Sequence, residues 1–232
     1  MSSLRRSFED RALELTAYLK FVELIEKESA ILSLPRKQTW KTRKVDEKIL
    51  PILKANFFLL LYNLVEASIR EGFMSVYRAI QADGCSVRQL SPSLRKLWVD
   101  AGFTRSSAVS ASQASYREIA RQLVEDVTAD VMAILDARGL RLGGNLDAEK
   151  IRDVCRAHGV SHKTDRRIQG GEKLLVVKSR RNALAHGDLS FVECGRDYSV
   201  AQLVEIKKQA FWYLKSILRN IERFSTARAY RR

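Results

Sequence analysis

A short run in the C-terminal third of the chain brings together side chains that can move protons and bind anions. Arg181, Asn182 and His186 lie between Lys178 and Gly187. Histidine titrates close to neutral pH and can pass a proton in either direction, and a guanidinium is a rigid planar donor for phosphate oxygens. RNA carries its own nucleophile, the 2′-hydroxyl. These residue types therefore suit the cleavage of RNA without a metal ion.

This run closes a predicted helix. Apolar spacing predicts a helix over about 172–186, and Gly187 is typical of the position where such a helix stops. One face of the helix would carry Leu174, Val177, Arg181 and Leu184. An arginine on an apolar face is costly unless its charge is satisfied or it lines a cleft. The helix therefore predicts a cleft or a buried partner at Arg181.

Each residue of the run also has a simpler interpretation. Arg181 could pair with a buried carboxylate, and Glu66 is the candidate. His186 could be only a cap at the helix end, where a positive charge is favoured. Asn182 lies one turn before His186, so it could fix the orientation of the imidazole.

Basic residues dominate the charge of the chain. Lysine and arginine number 41 against 27 acidic residues, a formal net charge of +14, which favours a polyanionic partner. One cluster leads into the motif and is the predicted RNA-binding surface: Lys163, Arg166, Arg167, Lys173, Lys178 and Arg180. Aromatic residues are not interleaved with this cluster, so it does not predict a platform for stacking single-stranded bases.

Composition excludes several other classes. The three cysteines, Cys85, Cys155 and Cys194, are far apart, which argues against disulfides and a zinc site. We expect no metal and no cofactor. No apolar run reaches the roughly 18 residues that a membrane helix needs, and the first ten residues lack the apolar core of a signal peptide. We therefore expect a cytoplasmic protein that does not use a membrane.

The periodicity predicts an all-α fold, an up-and-down helical bundle with helical insertions, formed by 1–232 as a single domain. Helices are predicted over about 6–34, 49–81, 92–101, 116–138, 147–159, 172–186 and 199–224. Between them we expect a basic connector at about 36–48, a short helix and mobile loop within about 85–115, a helical insertion at about 145–170, and an extended loop within 187–198. Residues 228–232 are predicted to be a frayed tail.

Two helices carry the clearest predicted core faces. The first helix would bury Leu13, Ala17, Phe21, Leu24 and Ile31, and the last would bury Leu203, Ile206, Ala210, Leu214, Ile217 and Ile221.

One segment supports a different function. Residues 151–168 resemble a helix-turn-helix, with Gly-Val-Ser at the turn and a basic second helix, which would bind DNA. Asp165 stands where an apolar packing residue is expected. His158 and His162 lie in the same segment without nearby thiolates, so we expect surface residues rather than metal ligands.

Three ordered blocks carry a resemblance to a known family. The pattern Arg-Asn-x-x-x-His at 181–186 resembles the signature of the HEPN superfamily. The blocks Tyr-Asn-Leu-Val-Glu-Ala at 62–67, Gly-Asn-Leu-Asp-Ala-Glu-Lys-Ile-Arg at 144–152 and Arg-Asn-Ala-Leu-Ala-His-Gly-Asp-Leu-Ser-Phe at 181–191 are together similar to the MAE-type HEPN-like nucleases. The resemblance runs over most of the chain.

That resemblance implies a metal-independent endoribonuclease that works as a homodimer, in a toxin–antitoxin or antiviral defence setting, with an antitoxin protein as a possible partner. Arg181, Asn182 and His186 would be catalytic, with both protomers contributing to one cleft. Asn63 and Glu66 would not react themselves but would contact the catalytic residues and support their positions. Because some family proteins keep the fold without activity, the alternative is a non-catalytic module that binds nucleic acid or a partner protein.

Overall fold

A computed structural model describes residues 3–28, 31–36, 39–107, 113–140, 142–164 and 170–232. Helices dominate this part of the chain, so the predicted all-α fold is confirmed. The helices are α1 (Ser3–Glu28), α2 (Ile49–Ala82), α3 (Pro92–Ser107), α4 (Gln113–Thr128), α5 (Ala148–His158), α6 (Glu172–His186), α7 (Phe191–Arg196) and α8 (Val200–Thr226), with a hairpin of β1 (Ile31–Arg36) and β2 (Thr39–Lys44).

The chain forms two compact units, each built from two stretches of sequence. The first unit comprises Met1–Glu66 and Arg166–Tyr213, and the second comprises Ala67–Asp165 and Leu214–Arg232. Helices α2 and α8 therefore contribute residues to both units. That residues 1–232 form a single domain with insertions stays a prediction.

Helix α1 buries a different face from the one predicted. The buried residues are Leu4, Phe8, Ala12, Leu15, Leu19 and Val22. Leu13, Ala17, Phe21 and Leu24 are exposed instead, so the predicted core face was wrong. Both sets recur at helical spacing, and the sequence of one helix does not say which apolar face its neighbours cover.

The segment after α1 is a hairpin rather than more helix. Strands β1 and β2 pair antiparallel, with Leu34 opposite Lys41, which corrects the prediction that the first helix reaches residue 34. Pro35 cannot continue a helix, and the threonines and tryptophan of β2 favour extended backbone. The basic connector predicted at 36–48 thus contains the second strand and the turn into α2.

Helix α2 is the principal core helix of the chain. In the part of the chain that the structure describes, it is also the one helix long and apolar enough to cross a membrane by length and composition, which corrects the expectation that no apolar stretch is that long. Many of its apolar side chains are buried within the protein: Ala55, Phe57, Phe58, Leu61, Tyr62, Leu64, Val65, Ile69, Phe73, Val76, Tyr77 and Ile80.

In the second unit, α4 ends ten residues earlier than the predicted boundary near 138. It stops at Thr128, and Asp130 then adopts a left-handed conformation with φ of 55°. An antiparallel bridge joins the extended chain that follows, at Met132, to Ser86. Helix α3 extends to Ser107, beyond the predicted end near 101. The mobile loop predicted within about 85–115 is thus narrower than expected, because α3 ends at Ser107 and α4 begins at Gln113, and 108–112 lie outside the described residues.

The helix predicted at about 147–159 corresponds to α5, Ala148–His158. Asp147 caps α5 by accepting a hydrogen bond from the Lys150 backbone N–H, and Gly159 ends the helix in the left-handed conformation. The second helix of the helix-turn-helix does not begin in 161–164, which are not helical, while 165–169 lie outside the described residues.

His158, expected at the surface, is only 2% exposed. Its Nε2 lies 2.7 Å from the Tyr77 hydroxyl and its Nδ1 lies 2.7 Å from the Val154 carbonyl oxygen, so both ring nitrogens are used inside the second unit.

The C-terminal tail is anchored, which corrects the prediction that it frays. The backbone N–H of Ser91 donates to the Tyr230 carbonyl at 2.8 Å, and the Tyr230 hydroxyl donates to Asp83 at 2.6 Å. Arg228 and Arg231 form ion pairs with the same carboxylate. The predicted core face of α8, in contrast, is buried throughout, which confirms that prediction.

Candidate functional site

Helix α6 has the predicted bounds and the predicted faces. It runs from Glu172 to His186, and Gly187 follows with φ of 78° in the left-handed conformation that ends helices. The apolar face is buried at Leu174, Val177 and Leu184, while Leu175, Ser179 and His186 are exposed. Arg181 therefore lies on the face that α6 turns toward the interior of the first unit.

Arg181 is half-buried, and its guanidinium lies over an aromatic ring. The guanidinium carbon is 4.5 Å from the centroid of Tyr62, which is 1% exposed in α2. The negative face of the ring stabilises the cation. Such a contact contributes about 0.5 kcal/mol at an exposed site and about 2 kcal/mol at a desolvated one. This contact is one that stabilises an arginine on an apolar face. Glu66, the predicted alternative partner, is half-buried one helical turn after Tyr62.

Asn182 orients the guanidinium rather than the imidazole. Its Oδ1 accepts a hydrogen bond of 3.0 Å from Nη1 of Arg181. Asn182 was predicted to orient the ring of His186. In the structure, Asn182 and Tyr62 both contact the side chain of Arg181 instead.

His186 is exposed at the last position of α6. Within the described residues, no hydrogen bond or ion pair involves the imidazole. The chain after it is tied back to the helix, because the Leu189 backbone N–H donates to the Ala183 carbonyl at 3.3 Å. His186 therefore presents its ring at a fixed helix end.

Arg180, the residue before Arg181, makes a separate set of contacts. Its Nε donates to the Tyr198 hydroxyl at 3.0 Å, and its Nη1 lies 3.2 Å from a carboxylate oxygen of Asp197. The hydrogen bond to Tyr198 is the main reason that the pKa of Arg180 is raised. The ring of Tyr198 in turn packs edge-to-face with that of Phe58 on α2, with ring centroids 4.9 Å apart.

The segment after the motif folds into α7, where an extended loop was predicted. Ser190 and Glu193 form a reciprocal capping box at its start, a pattern readable in the sequence as Ser-x-x-Glu. Gly195 lies against the backbone of α2, where a Cβ at this position would overlap the carbonyl oxygen of Pro51. This contact, with Tyr198 on Phe58, fixes the chain beyond His186 against α2.

The remaining predicted residues belong to both units. Lys163 is exposed in the second unit, where its carbonyl accepts a hydrogen bond from Asn220, and Arg166 and Arg167 lie outside the described residues. Lys173 and Lys178 are half-buried on α6, and Asn63 is exposed on α2. The RNA-binding surface stays a prediction.

Two further features of the described residues concern metal binding and thiol reactivity. In the described ranges, no group of three or more histidine, cysteine, aspartate or glutamate residues is arranged to hold a metal ion. All three cysteines are free and buried, and burial raises the pKa of each thiol, to about 12 for Cys155.

Tyr62 and Tyr198 are the residues of the site that the sequence did not identify as partners of the arginines. Tyr62 stands in one of the family-like blocks, but nothing in its local sequence indicates a contact with a residue more than a hundred positions away. Tyr198 follows Gly-Arg-Asp at 195–197, and nothing in that local sequence indicates a contact with Arg180.

Comparison with known proteins gives one match. A protein-family model described as HEPN_MAE_28990/-like HEPN matches residues 1–230. No curated protein and no solved structure matches the chain. The family indicates a nuclease-like or RNA-related module. Because the match covers nearly the whole sequence, the chain belongs to the MAE-type family of the HEPN superfamily.

Proposed function

We propose that this protein is a metal-independent endoribonuclease. The observation that carries the proposal is the arrangement at the end of α6. Arg181 is held by Tyr62 and Asn182, and an exposed His186 stands one turn beyond Asn182 at the carbonyl end of the same helix. Together they offer a positioned cation and a proton carrier, the two groups that cleavage through the 2′-hydroxyl requires.

The reaction is an internal transfer at phosphorus. The 2′-oxygen attacks the adjacent phosphorus while its proton passes to a neutral His186 imidazole. Negative charge builds on the equatorial phosphate oxygens, and Arg181 stabilises that charge. A protonated imidazole donates a proton to the departing 5′-oxygen. The products are a 2′,3′-cyclic phosphate and a 5′-hydroxyl, and no external nucleophile or metal ion enters.

We further propose that the site is completed in a homodimer. Two copies of His186 at one cleft would supply the base and the acid together. An exposed apolar face on α1, formed by Leu13, Ala17, Phe21 and Leu24, supports a protein partner, because monomers rarely expose contiguous apolar patches. A toxin–antitoxin or antiviral setting is part of the proposal, with an antitoxin protein restraining the nuclease.

The test is cleavage of RNA by the purified protein in excess EDTA. His186→Ala should lower the rate by about 10²–10⁴-fold, the usual contribution of a general acid–base group. His162→Ala, the same substitution at a histidine of the second unit, is the matched control and should keep the rate. Equal rates for the wild type and His186→Ala would overturn the proposal.

The second candidate is a module that binds nucleic acid without cutting it. Its support is the net charge of +14. Such a module would bind with strong salt dependence, cleave nothing, and keep its affinity in His186→Ala. Growth arrest on expression, relieved by Arg181→Ala or His186→Ala, would favour the nuclease. The helix-turn-helix version of this candidate is weakened by the non-helical chain at 161–164.

A further inference from the structure

We propose that Tyr62 is a positioning residue for the reaction, acting through Arg181 to hold the guanidinium at the phosphate. The proposal rests on the nuclease function proposed above and adds a residue on α2 to the α6 motif. Its observation is the 4.5 Å separation between the guanidinium carbon of Arg181 and the ring centroid of Tyr62.

Two contacts restrict the guanidinium in different directions. The ring of Tyr62 lies against the group, and Oδ1 of Asn182 accepts one of its N–H bonds at 3.0 Å. Arginine has a long side chain with several rotatable bonds, so without such contacts ordering it would cost conformational entropy at the moment of reaction. A group fixed in advance adds transition-state stabilisation without reorganising.

Tyr62 is itself held in place. It is 1% exposed, and Phe58 and Val65, which lie one turn before and after it on α2, are 0% and 1% exposed. A ring in such surroundings keeps one orientation because neighbouring side chains are closely packed. The core of the first unit therefore fixes Tyr62, and Tyr62 fixes Arg181.

An aromatic face suits this task for a chemical reason. It stabilises a cation without accepting an N–H bond, whereas a carboxylate such as that of Asp197 near Arg180 accepts N–H bonds and neutralises the charge. The contact with Tyr62 uses none of the five N–H donors of Arg181, so it restricts the position of the guanidinium without drawing on its hydrogen-bonding capacity.

The first arm of the test is independent of catalysis. In the wild type, the Hε resonance of Arg181, assigned by its loss in Arg181→Lys, should be shifted by the ring current of Tyr62. Tyr62→Phe should keep the shift and Tyr62→Leu should abolish it. An unshifted resonance in the wild type, or one that Tyr62→Leu leaves in place, would overturn the proposal. If Tyr62→Leu fails to fold, the wild type and Tyr62→Phe decide this arm.

The second arm measures cleavage. Tyr62→Phe should stay within about threefold of the wild type, and Tyr62→Leu should lower kcat by about 10²-fold, the scale expected of a small misplacement, with little change in KM. In an Arg181→Ala background, Tyr62→Leu should cost nothing further, whereas an independent structural role would give additive losses. Additive losses would overturn the positioning role.

The two arms separate this proposal from the proposed function. A wild-type protein that cuts no RNA would overturn the nuclease, and the catalytic role of Tyr62 with it, while the NMR arm would still report whether Tyr62 holds Arg181. A wild-type protein that cuts RNA while Tyr62→Leu retains full kcat would overturn the role of Tyr62 alone.

Discussion

Arg180 donates a hydrogen bond from Nε to the hydroxyl of Tyr198 over 3.0 Å. This contact gives Arg180 a different role from that of Arg181. Arg180 faces the chain beyond the motif, where Asp197 also pairs with it. Arg181 faces Tyr62 on α2. Adjacent arginines on one helix thus serve two purposes, and their variants should fail in different ways.

Arg180→Ala should lower stability. It removes a hydrogen bond from a charged donor and a part-exposed ion pair, so we expect the free energy of unfolding to fall by about 1–2 kcal/mol in chemical denaturation. Arg196→Ala, at an exposed position of α7, is the control and should stay within about 0.5 kcal/mol. Unchanged stability with weaker RNA binding would instead return Arg180 to the RNA-binding surface predicted from the sequence.

Gly195→Ala should disturb the packing of α7. The added methyl group would overlap the Pro51 carbonyl oxygen, a backbone atom that cannot rotate away. We expect a loss of about 3 kcal/mol in the free energy of unfolding, the upper part of the usual range for overpacking. Gly187→Ala meets no heavy atom within 4 Å and has only the strain of its φ of 78°, about 1–2 kcal/mol. Equal losses for the two variants would contradict the close approach of α7 to α2.

Stability should depend on pH through His158. Burial lowers its pKa from 6.5 to about 4 in the folded state, so the unfolded chain takes up a proton more readily. Stability contributed by the neutral ring is therefore present above pH 6.5 and is lost as the pH falls toward 4, by about 3 kcal/mol in total. The measurement is the free energy of unfolding between pH 7 and pH 4.

Two variants identify His158 as the source. His158→Phe should flatten the pH dependence across that window, at the cost of the hydrogen bond with Tyr77. His162→Ala should keep the wild-type slope. If His158→Phe retained that slope, another group would be responsible.

Helices α6 and α8 were predictable because single features in their sequences define them. Gly187 ends α6, and α8 has one continuous apolar face from Leu203 to Ile221, all of which is buried. Arg181 was recognisable by its place on an apolar face. Local sequence is sufficient where one periodic pattern is present and no competing pattern exists.

Other features depend on contacts that no local pattern contains. Helix α1 has two apolar faces, and the rest of the fold decided that Leu15 and Leu19 are buried while Leu13 and Phe21 are exposed. The contact of Arg181 with Tyr62 joins residues distant in sequence, as does the anchoring of the tail through Asp83. Helix α7 was missed for a different reason. The Ser-x-x-Glu pattern of its capping box is present in the sequence, and the segment was nevertheless predicted to be an extended loop.

Cleavage through the 2′-hydroxyl is tested most directly by the chemistry of the cut end. RNA and the same strand with 2′-O-methyl groups should be incubated with the protein in excess EDTA, and the products analysed by mass spectrometry. We expect fragments ending in a 2′,3′-cyclic phosphate from RNA, none from the methylated strand, and at least a hundredfold less from His186→Ala, the lower limit of about 10²-fold for such a group. Cleavage of the methylated strand, or equal cleavage by His186→Ala, would contradict it.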